Sequence, residues 1–156
     1  MGYADGLRAM GGQMGQMGMQ GGMAFTDTFL IPDISKAIVG EVHAYRYYQR
    51  LAELAPNEQY RQTILRIQRD EFKHYHWFTM ILNHLGGQQP QIPAGKMPVT
   101  FQEGVRTAIH DELETAAFYQ EIAYRATNHP INMHFMHAMH DEQRHASLFQ
   151  LMLSSL

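Results

Sequence analysis

Apolar residues recur every three to four positions along four stretches of the chain, and each stretch predicts an amphipathic helix. The first opens after Pro32 with Asp33 as its cap and runs to about Ala55, with Ile34, Ala37, Ile38, Ala44, Tyr48, Leu51 and Ala52 on its inward stripe. Pro56-Asn57 breaks it and caps a second, which reaches about Leu85 with Tyr60, Ile64, Ile67, Phe78, Ile81 and Leu85 inward. Thr100 and Glu103 form a capping box for a third, which extends to about Thr127 through Phe101, Val105, Ala108, Ile109, Tyr119, Ile122 and Ala126. After the break at Asn128-His129-Pro130, a fourth runs nearly to the C terminus with Ile131, Phe135, Ala138, Phe149 and Met152 inward. The segment Gly86 to Pro98 is rich in glycine and proline, and its 13 residues could span roughly 43 to 47 Å, the length of a helix bundle.

The stripes contain charge. Glu41 lies in the first, Glu71 and His74 in the second, Glu112 in the third, and Glu142 and His145 in the fourth. In DEFKH (Asp70 to His74) and DEQRH (Asp141 to His145), a glutamate stands three residues before a histidine, so the two share a helix face. YYQRLAELA at Tyr47 matches FYQEIAYRA at Phe118, and DEFKH matches DEQRH, at the same offset of 71 residues (118 − 47 and 141 − 70). One helical hairpin is therefore written twice. Residues equidistant from a hairpin turn lie at one height. The midpoint of Glu41 and Glu71 is residue 56, and that of Glu112 and Glu142 is residue 127, each at or beside a predicted break. All four carboxylates should meet at one level of an all-α, four-helix bundle made of two hairpins and a long crossover.

Four carboxylates cannot all stay ionised in an apolar core, because desolvation and mutual repulsion push protons onto them. Two divalent cations would cancel four Glu⁻, and oxygen and imidazole donors suit iron or manganese. These residues resemble the ferritin-like di-iron carboxylate superfamily, rubrerythrin and bacterioferritin domains above all, over about Asp33 to Leu153. The resemblance implies Glu41 and Glu112 as terminal ligands, Glu71 and Glu142 as bridging ligands, and His74 and His145 as nitrogen ligands. It also implies two Fe ions as cofactor, with two Mn or mixed Fe/Mn as the alternative.

Tyr48 and Tyr119 each follow a ligand glutamate by seven residues, where a phenol can hydrogen-bond a carboxylate, and similar tyrosines occur in rubrerythrins. Asp70 and Asp141 are expected to orient the other half's histidine, pairing with His145 and His74 respectively, as in similar bacterioferritin-type sites. Two features depart from rubrerythrins. Thr115 stands where they carry an extra glutamate, and no rubredoxin domain is attached, so electrons must come from an external donor.

Composition narrows the rest. At 156 residues and 45% hydrophobic, the chain suits one bundle domain over residues 26–156. Residues 1–25 hold eight glycines and six methionines with no helical period, and predict a flexible tail. A copper(I) site at Met14, Met17, Met19 and Met23 is the functional alternative for that tail. A net charge of −3 gives no footprint for nucleic acid or a membrane surface. The lack of cysteine excludes disulfides, thiolate metal sites and a cysteine nucleophile. With no 18-residue apolar run and no secretion signal, a cytoplasmic location is the default expectation.

His134, His137 and His140 have no matching set in the first half and read as surface residues, with a metal entry path as the alternative. Glu114 is about 200° around the helix from Glu112 and should face elsewhere. Trp77, Met80, Leu113, Phe118, Met136, Met139, Leu148 and Leu151 fall outside the stripes, which predicts a homodimer or larger assembly to cover them.

The function expected is a non-haem di-iron oxidoreductase acting on hydrogen peroxide or oxygen. Ferroxidation of ferrous iron for storage or sequestration is a second reading, and a structural or coat protein retaining the bundle is a third. Dimanganese catalase chemistry is compatible with the same ligands.

Overall fold

The computed structural model describes residues 26–156, so the expected tail and its methionines lie outside the described residues. A 3-10 turn at Thr28–Leu30 leads into α1 (Ile31–Glu53), followed by α2 (Glu58–His84), α3 (Phe101–Arg125) and α4 (His129–Ser154). Turns too short to allow any other arrangement lay α1 against α2 and α3 against α4 as antiparallel hairpins. The hairpins close on each other where α1 meets α3 and α2 meets α4. The result is a four-helix bundle.

Three of the four helix starts follow local chemistry visible in the sequence. The side chains of Asn57, Thr100 and Asn128 accept from the backbone N–H of Tyr60, Glu103 and Ile131. The fourth differs. α1 begins at Ile31, so Asp33 lies inside its first turn instead of capping it, and its carboxylate accepts from Arg125 at 2.6 Å. Pro32 fits that first turn because the N–H it lacks would have had no helical partner.

The anchor at this end is Asp27, 1% exposed, which accepts from the backbone N–H of Thr127 and Asn128 and from the Thr127 hydroxyl. It ties the entry of the first hairpin to the turn of the second.

The crossover follows α1 along its length. Gly86, at φ +79°, ends α2 in the left-handed conformation that glycine adopts without strain. Gly87 then lies against Ile31, Pro93 accepts from His43 Nε2 at 2.8 Å, and Pro98 packs on Gly104 near Leu51. A Cβ at Gly104 would come within 2.6 Å of Leu51 Cδ1 and 2.9 Å of Pro98 Cβ, so glycine is what lets α3 start this close to α1.

The apolar core is split into two layers. One holds Leu30, Ile34, Phe78, Tyr119 and Phe135, and the other Tyr48, Leu51, Ile64 and Phe149. The repeat relates them: Phe78 meets Tyr119 at 5.1 Å, and its counterpart Phe149 meets Tyr48 at 5.2 Å.

Burial of the residues outside the stripes departs from expectation. Trp77 and Met139 are buried, and Met80, Phe118, Met136 and Leu148 are partly covered; only Leu113 and Leu151 are exposed, at 54% and 65%. The apolar arc of each helix is wider than a single stripe, as neighbours on both sides require. Much of the surface that called for a second subunit is therefore covered within one chain.

Candidate metal centre

The slab between the two core layers is made of charge. Glu41, Glu71, His74, Glu112, Glu142 and His145 are each 2% exposed or less. Each helix contributes because its charged residue occupies a stripe position, and the equal heights counted from the two turns bring them together. Two sets of ligand atoms result, each lying within 4.8 Å of one another: Glu41, Glu71, His74 and Glu142 in one, and Glu71, Glu112, Glu142 and His145 in the other. Glu71 and Glu142 belong to both.

Whether these residues fit a metal pair is tested by their unsatisfied atoms. Glu41 Oε2, Glu71 Oε1, His74 Nδ1, Glu112 Oε2, Glu142 Oε1 and His145 Nδ1 are buried and make no hydrogen bond. His74 Nδ1 lies 3.0 Å from Glu142 Oε1, and His145 Nδ1 lies 3.0 Å from Glu71 Oε1, close but without hydrogen-bond geometry. Leaving even one such group unsatisfied costs about 1–3 kcal/mol. Six donor atoms converging this way fit two cations and no other plain packing role.

Behind these donors the halves exchange support. Tyr48 donates to Glu112 and Tyr119 to Glu41, each phenol reaching the other hairpin's carboxylate. His74 Nε2 lies 3.0 Å from Asp141, and His145 Nε2 lies 3.0 Å from Asp70.

Sequence reasoning missed the next layer outward. Lys73 bridges Asp70 at 3.1 Å and Asp141 at 2.9 Å, and Arg144 bridges the same two at 2.8 and 2.9 Å. The signal was present: both occupy the basic fourth position of the repeated DE-x-basic-H motif.

The electrostatics follow from burial without countercharge. Burial, then repulsion from Glu142 and the other carboxylates, pushes Glu71 well above the usual carboxylate range, and burial with Glu142 does the same to Glu112. Glu142 goes the other way: burial raises it, but the adjacent Glu112 carboxyl and the two imidazoles close to it hold it below its ordinary value. Burial disfavours charge on His74 and His145, yet the carboxylates around them carry both well above the ordinary imidazole value. Burial also opposes ionised Asp70 and Asp141, but their histidine and Lys73 partners keep both below the usual range. Burial and the adjacent carboxylates raise the phenols of Tyr48 and Tyr119, which stay protonated as donors.

A cleft of about 360 Å³ opens between α1 and α3 and reaches Glu41, Glu71, Glu112 and Glu142. Its walls pair positions of the two repeats, Gly40 with Asp111, His43 with Glu114, and Ala44 with Thr115, so it lies on the approximate two-fold between hairpins. Glu114, expected to face elsewhere, is exposed at its mouth.

The histidines considered for metal entry sit away from this opening. His134 is half-buried, donates from Nδ1 to the Pro130 carbonyl, and packs edge-on against Trp77 with His137 beside it, while His140 is exposed.

Bundle and site together define a four-helix protein whose buried Glu/His cluster could bind a dinuclear metal centre. Comparison with known proteins names the group. The rubrerythrin family model matches residues 34–153, and the chain belongs to the rubrerythrin family. It is 36% identical over 125 residues to the uncharacterized protein YhjR of Bacillus subtilis (strain 168), covering 79% of this chain and 86% of that one. The fold is similar to that of a hypothetical protein from Pyrococcus furiosus, with a TM-score of 0.70 and 17% identity, over 80% of this chain and 88% of the other. No helix among the described residues is long and apolar enough to cross a membrane.

Proposed function

We propose that the chain is a non-haem di-iron oxidoreductase that reduces hydrogen peroxide or oxygen. One observation carries this reading: six buried donor atoms, one from each of six residues on four helices, converge with no hydrogen-bond partner. In this reading Glu41 with His74 and Glu112 with His145 each serve one metal, and Glu71 with Glu142 serve both. Two iron ions, or manganese in their place, would supply the electrons by passing between divalent and trivalent states.

The protein's own groups prepare the site. Asp141 and Asp70, held ionised, accept the Nε2 proton of His74 and His145, which fixes each tautomer with Nδ1 as the free donor. Tyr48 and Tyr119 each hold one oxygen of a glutamate and leave its second oxygen uncommitted. The cleft between α1 and α3 admits a molecule the size of peroxide to the carboxylate side. With no cysteine in the chain to hold a rubredoxin-type iron site, this reading takes its reducing equivalents from an external donor.

Metal analysis of protein from unsupplemented cells, followed by mixing the reduced form with peroxide and with oxygen, tests the proposal. About two iron or manganese ions per chain and rapid oxidation by one of the two oxidants are expected. Oxygen consumption that leaves the added iron retained as ferric mineral would favour ferroxidation. A protein lacking redox metal, whose fold and assembly are unchanged after Glu71→Ala with Glu142→Ala, would reduce the bundle to a scaffold.

A further inference from the structure

The bundle has a second opening, on the side opposite the carboxylate cleft. It is a cleft of about 450 Å³ between α2 and α4, and its floor is Asp70 and His145. Its rim is basic: Arg66, Arg69 and Arg144. Arg144 is neutralised by Asp70 and Asp141, but among the described residues Arg66 bonds only the Thr63 hydroxyl and neither Arg66 nor Arg69 makes an ion pair. Two uncompensated guanidinium groups thus face solvent on a protein whose net charge is −3.

We propose that this cleft docks an acidic, one-electron carrier protein, and that electrons enter the metal centre here through Asp70 and His145. The inference rests on the oxidoreductase reading above and names the partner that reading requires. Chemistry on the carboxylate side consumes two electrons and two protons per peroxide (H₂O₂ + 2e⁻ + 2H⁺ → 2H₂O), so two carriers are each oxidised once, and the protons come from water. Electron transfer weakens steeply with distance, and His145 is where a metal-facing ring reaches this basic surface: its Nδ1 faces the centre, and its ring lies with Asp70, the partner of its Nε2, at the floor of the cleft.

The charge pattern selects the partner class. A basic cleft on an acidic protein steers an acidic surface to this point and repels it elsewhere. Nucleic acid is disfavoured because salt-dependent binding to its backbone rests on many phosphate contacts, about 6–10 in typical cases, and two free arginines supply few. The oxidant keeps its own entrance, so reductant and oxidant reach the centre from opposite faces.

The test uses the metal-loaded full chain and a reduced plant-type [2Fe–2S] ferredoxin, an acidic one-electron carrier. Ferredoxin oxidation is followed by stopped flow, and ferredoxin binding by NMR line broadening, for the wild type, for Arg66→Glu/Arg69→Glu, and for Arg46→Glu/Arg106→Glu, which makes the same charge change outside the cleft. Wild-type electron transfer should slow about tenfold or more between low and high salt. The cleft variant should lose about tenfold or more at low salt together with the line broadening, while the control variant keeps most of both.

Equal losses in the two variants, or none in either, overturn the proposal. So does a cleft that retains inorganic phosphate or an oligonucleotide but not ferredoxin. Oxidation of the chemically reduced proteins by peroxide is measured alongside: if it fails in the wild type, the oxidoreductase reading is wrong, whereas if it is normal in all three while the ferredoxin results fail, only the docking site is wrong.

Discussion

Tyr48 on α1 gives its phenolic proton to Glu112 on α3, not to Glu41, which precedes it on its own helix. Tyr119 returns the same contact to Glu41, so each hairpin positions a metal-facing carboxylate of the other. Tyr48→Phe should therefore weaken metal binding at the Glu112–His145 end, by about 10- to 100-fold for an outer contact of this kind. Competitive titration against a metallochromic chelator reads the loss, and Tyr119→Phe should match it. Unchanged affinity in both variants would show that the phenols only fill space.

Removing a charge from the centre should stabilise the metal-free fold. Glu71→Gln keeps the shape of a side chain whose ionised form is disfavoured by burial and by Glu142. Because the neutral amide removes the cost of ionising that carboxyl, the gain should grow as pH rises above the ordinary carboxylate range. Thermal melts of chelator-treated protein should move upward, and the further rise on adding Mn²⁺ should shrink or vanish. A lower melting temperature for the metal-free variant would show that Glu71 is already compensated without metal.

The same groups give the metal-free protein an unusual pH profile. Glu71, Glu112, His74 and His145 all have folded values above their unfolded ones. A raised value contributes stability that is complete below the unfolded pKa, about 4.3 for Glu and 6.5 for His, and is lost as pH rises through the folded value. Asp70, Asp141 and Glu142 are lowered and act in the opposite sense, losing their contribution only as pH falls below the ordinary carboxylate range. Urea midpoints of the metal-free form should peak in mildly acid solution and decline through neutral to alkaline pH. Metal-loaded protein should not decline over that range, because the cations hold the carboxylates ionised and the imidazoles neutral.

Asp27 should matter for stability but not for chemistry. Its carboxylate satisfies two backbone N–H groups and a hydroxyl at the α3–α4 turn. Asp27→Ala leaves those groups without it, and hydrogen bonds to a charged group contribute about 1.5–3 kcal/mol each. Chemical denaturation should show a loss of at least that size, with metal stoichiometry unchanged.

The centre was legible in the sequence because its geometry is local. Glu-x-x-His faces one side of a helix whatever surrounds it, and heights can be counted from the turns. Asp27 was not legible: its partners lie about 100 residues away, and it borders a segment with no period from which to argue. Asp33 reads as a cap because an aspartate after proline resembles a helix start, whereas α1 begins at Ile31 and Asp33 is held by Arg125 across the bundle. Trp77 falls outside the inward stripe of its helix, yet it is covered by α4 through His134 and His137, because the buried face is wider than a single stripe. Lys73 and Arg144 were hidden by their type, since lysine and arginine on a helix usually mean solvent.

The reciprocal contacts also bear on how such a chain could have arisen and how it would come apart. Severed within the crossover, neither fragment would own a whole ligand set, since every candidate metal position draws on both. Two identical copies of an ancestral hairpin, meeting about the same axis, would have faced the same shortage and met it by pairing. Metal would then have acted as the glue between separate chains before any peptide joined them, and a split version of the present protein should still reassemble fastest when metal is supplied.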